Sequence, residues 1–319
     1  MRIAVLGAGA LGTLFAGSLA AERPVTLVGR DDEHLHAIAD NGVRIRRPDG
    51  STEGYAVDAT ADYTAVSDAD ILLIAVKSYD TEAAMADVEP FLERTHVLTL
   101  QNGLGNAETI REFVHEEHIL AGTTTNGAVI DEPGTVEHTG RGTTTIGRMW
   151  SRNDALVDHL AATFRQVGLE TTVVGDVERA IWEKVLVNVG INPLTALSRV
   201  SNGQITAVPA GERVLETAVE EAHRVALADG HQFDRDPVQV TRQVASDTAP
   251  NRSSMLQDVE RGSRTEIDAL NGAVVERAAR HDIGVPVNRT LTDCIRLLES
   301  GSGTEESAVP PEPTEDSKT

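Results

Sequence analysis

The chain of 319 residues is long enough for two hydrophobic cores, because a single core stops growing at roughly 250–300 residues. A formal net charge of -22 argues against nucleic acid or an anionic membrane as partner, since phosphate contacts need clustered cations. One cysteine, Cys294, rules out an internal disulfide, and without an HExxH pattern no metal site is expected.

Residues 3–21 carry no charge and follow Met1-Arg2, an outline shared with secretory signal peptides. Their glycines point elsewhere. Ile3–Leu6 reads as a buried strand, Gly7-Ala8-Gly9-Ala10-Leu11-Gly12 as a GxGxxG loop, and Leu11–Ala21 as the helix behind it. In such a loop Gly7 makes the tight turn, Gly9 lets the backbone approach a pyrophosphate, and Gly12 packs helix on strand. The amides of Ala10 and Leu11 then face the phosphates at the helix N-terminus. A dinucleotide cofactor and a cytoplasmic location are expected.

A second strand, Val25–Val28, ends at Gly29-Arg30. A carboxylate at that position would bond the ribose hydroxyls of NAD, whereas Arg30 suits a 2′-phosphate, which favours NADPH. Asp31 and Asp32 follow at once and keep NADH possible. Further strands are expected at Ile71–Val76 and Val97–Leu100, with a helix over Thr81–Leu92 between them. Buried strands alternating with helices imply an α/β Rossmann-type parallel sheet. Residues 119–147, rich in Gly and Thr, are expected to add strands at its edge.

From Val177 onward the pattern is helical. Glu178–Ile191, Pro209–Asp229, Pro237–Ala249 and Thr265–His281 carry apolar residues at helical spacing. In the last, Ile267, Leu270, Val274 and Ala278 form one stripe, ended by Gly284 and Pro286. Cys294 falls among Leu291, Ile295 and Leu298 and reads as a buried thiol. This yields a Rossmann domain over 1–175, an all-helical substrate and catalytic domain over 176–299, and a disordered acidic tail over 300–319.

The segment 180–196 carries the most chemistry. Lys184, Asn188 and Asn192 recur every four residues along one helical face, flanked by Trp182, Val185, Leu186, Val187, Val189 and Ile191. A lysine in such surroundings is desolvated and its pKa falls toward a range useful for proton transfer. The plainer alternative is a lysine that snorkels to solvent beside helix-bridging asparagines. Against it, Lys77, Lys184 and Lys318 are the only lysines in the chain. Pro193 predicts that the helix ends or bends there.

This segment resembles the signature helix of the ketopantoate reductases (2-dehydropantoate 2-reductases). The resemblance extends to residues 5–12, 76–78, 100–106, 122–125, 251–258 and 264–268, in the family's order. It implies NADPH-dependent reduction of the small-molecule substrate 2-dehydropantoate to (R)-pantoate, with the active site between a Rossmann and a helical domain. By the same matching Lys184 is the general acid, and Glu266 orients it or the substrate and borders the cofactor. Asn102, Asn188, Asn192, Asn251 and Ser254 recognise the substrate, while Asn102 and Lys77 also support the cofactor. Plainer roles exist for three of these: Glu266 as a helix-start acid, Ser254 as an N-cap, Asn102 as a turn residue beside Gly103. Reduction of another branched 2-keto acid, or an idle NADP-binding redox sensor, are the rival readings. A homodimer is the one macromolecular association left open.

With three lysines among 28 basic residues and acid spread along the helices, the composition is that expected of a halophilic protein, lysine depletion from a GC-rich genome being the plainer alternative. Concentrated salt screens the self-repulsion of such a surface. The midpoint of thermal unfolding should therefore rise between dilute and molar KCl. Equal stability in both would refute the halophilic reading.

Overall fold

The structure, a computed structural model, describes residues 1–302. The first part alternates strands and helices: β1 (Ile3–Leu6), α1 (Ala10–Ala20), β2 (Val25–Val28), α2 (Glu33–Asn41), β3 (Val43–Arg46), β4 (Thr52–Tyr55), β5 (Asp58–Thr60) and β6 (Ile71–Ile74). It continues with α3 (Thr81–Val88), β7 (His96–Thr99), α4 (Asn106–Ile110), β8 (Ile119–Thr124), β9 (Gly127–Glu132), β10 (Thr135–Gly140), β11 (Thr144–Arg148), α5 (Ala155–Gln166) and β12 (Thr171–Val173).

An eight-stranded sheet runs in the order β12-β11-β8-β7-β6-β1-β2-β5, parallel throughout except between β11 and β8. Both faces are covered. Ile3 and Val5 of β1 point into one apolar cluster with Leu14, Phe15 and Phe164, while Ala4 and Leu6 point into another with Leu72 and Val97. Burial on both sides explains why these strands read as continuous apolar runs rather than alternating ones.

Residues 119–147 depart from expectation. β8 and β11 do extend the main sheet, but in its interior, whereas β9 and β10 join β3 and β4 in a separate four-stranded sheet ordered β4-β3-β10-β9. The helix expected over Thr81–Leu92 also stops early. α3 ends at Val88 and a 3-10 turn, Glu89–Phe91, takes over at Pro90, which has no amide hydrogen to carry an α-helix on.

The second part is built round α6 (Val177–Ser198), followed by α7 (Asn202–Ala207), α8 (Pro209–Ala228), α9 (Pro237–Asp247), α10 (Ser254–Glu260), α11 (Ala273–Arg280) and α12 (Pro286–Ser302). Trp182, Val185, Leu186 and Val189 of α6 form the centre of the helical core with Ala222, Val225, Ile267 and Val274. At Gly190 a Cβ would lie 2.8 Å from a Val219 methyl, so α8 crosses α6 where α6 has no side chain.

Of the two outcomes expected at Pro193, an end or a bend, the helix does not end there. α6 runs through it to Ser198. A proline in a helix leaves the carbonyl four residues earlier without its donor. Here that carbonyl, of Val189, accepts a hydrogen bond from the buried Asn271 side-chain amide at 3.2 Å. Asn271 lies in a π-helical turn, Asp268–Gly272, that precedes α11. The stretch expected as one α-helix over Thr265–His281 is thus a widened turn followed by a short helix, although Ile267, Leu270, Val274 and Ala278 are all buried as the stripe implied.

Two smaller expectations also change. Cys294 is exposed, because α12 turns Leu291 and Ile295 inward and leaves position 294 one step round on the outer face. α12 continues to Ser302, beyond the start expected for the acidic tail, and residues 303–319 lie outside the described residues.

Candidate active site

The parallel strands β2, β1, β6, β7 and β8 all end at one edge of the sheet, and the loops leaving those ends carry the candidate residues. Ligands bind beyond the carboxyl ends of strands in open α/β sheets, because the crossovers leave a crevice there. After β1, Gly7 adopts φ 115°, and a Cβ on it would sit 2.6 Å from the Val76 amide nitrogen. At Gly12 a Cβ would lie 1.9 Å from the Gly7 carbonyl oxygen, so only glycine lets α1 start this close to the strand. Gly9 differs: nothing lies within 4 Å of where its Cβ would be. The open space there, with Ala10 and Leu11 half-buried at its rim, is a cradle for a group approaching the helix start. α1 has no side-chain cap and no acid in its first turn. Its free amides and dipole therefore fit an anionic pyrophosphate.

Arg30, after β2, is exposed. The two acids beside it are both engaged. Asp31 is 2.6 Å from the His36 ring, and Asp32 caps α2 by accepting from the Leu35 amide at 2.9 Å. Each contact uses one carboxylate oxygen, and the Arg30 guanidinium stands beside them at the strand end.

The lysine of α6 meets the loop after β7. Lys184 Nζ donates to Asn102 Oδ1 at 2.6 Å and to the Thr124 carbonyl, the last of β8, at 2.7 Å. Burial pulls its pKa from 10.5 down to about 8, and the Glu266 carboxylate opposes that fall. Both direct acceptors are neutral, so the ammonium is hydrogen-bonded without a contacting counter-charge. That is the setting in which an amine gives up its proton most readily.

Asn102 is itself held. Its Nδ2 donates to Glu266 Oε2 at 3.2 Å, and the other carboxylate oxygen accepts from the Ser78 amide at 3.1 Å. Glu266 is 7% exposed, and it reaches Lys184 through Asn102 rather than directly. The Leu104 amide donates to the Ala269 carbonyl at 2.9 Å, which pins the far side of the loop to the π-turn. Between them Gly103 has φ 91°, and a Cβ there would meet the Ala269 oxygen at 2.4 Å.

Lys77, after β6, crosses to α10: its ammonium lies 2.7 Å from Asp258 Oδ2 and 3.8 Å from Glu266 Oε2. Asp258 and the Thr124 carbonyl are partners that single-residue reasoning missed, although both fall inside motif stretches, 251–258 and 122–125. Of the remaining residues, Asn188 is half-buried and Asn192 is 6% exposed, both on the Lys184 face of the unbroken helix. Asn251 and Ser254 are exposed at the start of α10. The cap of that helix is Ser253, not Ser254, and Ser253 Oγ lies 2.6 Å from Thr195 Oγ1 of α6. Among the described residues the side chains of Asn188, Asn192, Asn251 and Ser254 make no hydrogen bond, which leaves them available to a ligand. Among the described residues, too, no cluster of His, Cys, Asp and Glu is placed to hold a metal, and no helix is long and apolar enough to cross a membrane.

Residues 3–150 match the ketopantoate reductase PanE/ApbA family, and residues 176–299 match its C-terminal part. The chain belongs to the ketopantoate reductase family. It is 51% identical to a 2-dehydropantoate 2-reductase of Halobacterium salinarum, over 94% of this chain and 99% of that one. A second 2-dehydropantoate 2-reductase, from Pyrococcus horikoshii, is 38% identical over 95% and 99%. Among solved structures, the PanE/ApbA family ketopantoate reductase of Ralstonia eutropha superposes with a TM-score of 0.88 at 34% identity, covering 95% of this chain and 99% of that chain. D-mandelate dehydrogenase, in a ternary structure with NADH and anilino(oxo)acetate, also reaches 0.88, at 25% identity over 95% and 99%. The family membership, the α/β sheet and the helical second part agree with the expectations drawn from the motifs.

Proposed function

We propose that the protein reduces 2-dehydropantoate to (R)-pantoate with NADPH, in the cytoplasm, as a step of pantothenate and coenzyme A biosynthesis. The observation that carries this reading is the Lys184 ammonium, held by two neutral oxygens where β7 and β8 end. Reduction of a ketone requires a hydride at the carbonyl carbon and a proton at its oxygen. The bound dinucleotide supplies the hydride.

The chain's residues supply the rest. Lys184 hydrogen-bonds the keto oxygen, which draws charge onto it, and then passes its proton to the alkoxide. Asn102 keeps that ammonium in place with its Oδ1, while Glu266 fixes the asparagine through its Nδ2. The free amides of Asn188, Asn192 and Asn251 and the hydroxyl of Ser254 recognise the substrate's carboxylate and hydroxyl oxygens, a task suited to neutral donors in a partly desolvated cleft. The loop of Gly7, Gly9, Ala10, Leu11 and Gly12 holds the pyrophosphate, Arg30 the 2′-phosphate, and Lys77, Asn102 and Glu266 border the nicotinamide end.

Ketopantoate is favoured as substrate by the 51% and 38% identity to 2-dehydropantoate 2-reductases. The equally high TM-score of D-mandelate dehydrogenase at 25% identity supports the second reading, a reductase of another 2-keto acid on this scaffold. A non-catalytic redox sensor predicts a missing proton donor, whereas Lys184 and Glu266 are both present, joined through Asn102.

Wild-type enzyme should oxidise NADPH with ketopantoate faster than with other branched 2-keto acids. Lys184 is charged below a pH of about 8 and neutral above it, so its proton is lost as pH rises. Turnover should therefore fall through that point, by about tenfold per pH unit beyond it. Steady turnover up to about pH 10 would indicate an unperturbed lysine and contradict the reading. For the cofactor, Arg30→Ala should lower kcat/KM with NADPH by roughly tenfold or more while sparing NADH, the loss of one charge-assisted contact. An unchanged ratio would remove Arg30 from the site.

A further inference from the structure

Lys77 is ion-paired with two acids and hydrogen-bonds only one of them. Its ammonium is 2.7 Å from Asp258 Oδ2 and 3.8 Å from Glu266 Oε2. Glu266 Oε2 is the same oxygen that accepts from Asn102 Nδ2, and Asn102 in turn accepts from Lys184. Two lysines thus compete for one carboxylate, one of them directly and the other through an asparagine. The two cations come from different parts of the fold, the loop after β6 and the middle of α6, and Asp258 comes from a third, α10.

We propose that Asp258 is a positioning residue that sets the proton affinity of Lys184 by taking the Lys77 hydrogen bond and so holding that ammonium at the longer distance from Glu266. The inference rests on Lys184 being the proton donor, and goes beyond it in naming what tunes that donor. With Asp258 ionised, Lys77 is satisfied on the α10 side and the Glu266 charge stays directed at Asn102 and Lys184. Without that carboxylate, Lys77 has Glu266 as its remaining acid, and closing their 3.8 Å ion pair to a hydrogen bond weakens the field that favours a protonated Lys184. Opposite charges within about 4–6 Å favour each other's charged forms, and neutralising one partner withdraws that support.

The surrounding charges leave this arrangement intact. Facing Lys77 and Asp258 are Tyr79 from the turn after β6, itself beside Asp80, Arg261 at the end of α10 and Glu266 ahead of the π-turn. Arg264 is stacked 4.6 Å over the Tyr79 ring. Glu266 is the charged group that acts on Lys184. Asp258 is 7% exposed. Burial raises its pKa and Lys77 opposes the rise, and burial also acts against Lys77 while the two carboxylates hold its pKa above the ordinary lysine value. Each member of this pair is therefore costly to strand in the absence of the other.

The scarcity of lysine makes a direct test practicable. The full chain has three lysines, Lys77, Lys184 and Lys318. Labelling the lysine Cε with carbon-13 gives three NMR signals to follow against pH, and the Lys184 signal is identified by its loss in Lys184→Ala. In Asp258→Asn the Lys184 midpoint should move to lower pH by about half a unit or more, the size of one partly screened charge. In Lys77→Met it should move to higher pH by a similar amount, because Glu266 then has no competing cation. Asp258→Glu should keep the wild-type value. A midpoint unmoved in both Asp258→Asn and Lys77→Met would overturn the proposal, as would shifts of the same sign. If Asp258→Asn does not fold, Lys77→Met decides alone: an unmoved or acid-shifted midpoint overturns it. The titration needs no substrate, so failure here is distinct from failure of the enzyme to turn over ketopantoate.

Discussion

An ammonium group removed from water and bonded only to neutral oxygens is the constraint around which the rest of this molecule is arranged. Lys184 sits on a helix beside the buried Trp182, Val185 and Leu186, and it finds an amide oxygen and a backbone carbonyl where a carboxylate would be the more stabilising partner. A contacting carboxylate would have held its pKa up and made the proton harder to release. Glu266 is kept one residue away, behind Asn102, so it steadies the lysine without locking it. The cost of that desolvation is offset by the packing of α6 against α7, α8, α9, α10 and α12.

Bringing the two neutral oxygens to one point requires both parts of the fold. The Thr124 carbonyl is available because β8 ends there, next to β7 in parallel register, at the edge where the crevice opens. Asn102 is held by contacts that cross between sheet and helices: Glu266 grips its amide, and Ala269 in the π-turn accepts from Leu104 just beyond it. The same π-turn sends Asn271 to the Val189 carbonyl that Pro193 leaves without a donor. One irregular turn therefore steadies both the loop carrying Asn102 and the helix carrying Lys184. π-turns inside helices often occur at functional sites, because widening by one residue frees backbone groups for outside partners.

Much of this was legible in the residues. The strand–glycine–helix unit, the buried strands at Ile71 and Val97 and the Lys184–Asn188–Asn192 face follow from local period and chemistry, and the family motifs tie them into one site. Pro193 does not end the helix, and the carbonyl it leaves without a donor is met by Asn271, a residue 78 positions away. Cys294 lay one residue off an apolar stripe, and a single position round a helix separates buried from exposed. Splitting residues 119–147 between two sheets depends on β3 and β4 offering an edge, which no local pattern announces. Asp258 was hidden for a similar reason: its partner, Lys77, is 181 residues distant, and an acid in a short helix looks like ordinary surface charge until the fold buries it.

The central claim is that the proton delivered to the substrate comes from Lys184, and single-site removal of that amine tests it most directly. With ketopantoate and NADPH both saturating, turnover by Lys184→Ala should fall by roughly two orders of magnitude or more, the usual loss for a positioned acid, while NADPH still binds. Near-normal turnover in that variant would contradict the account.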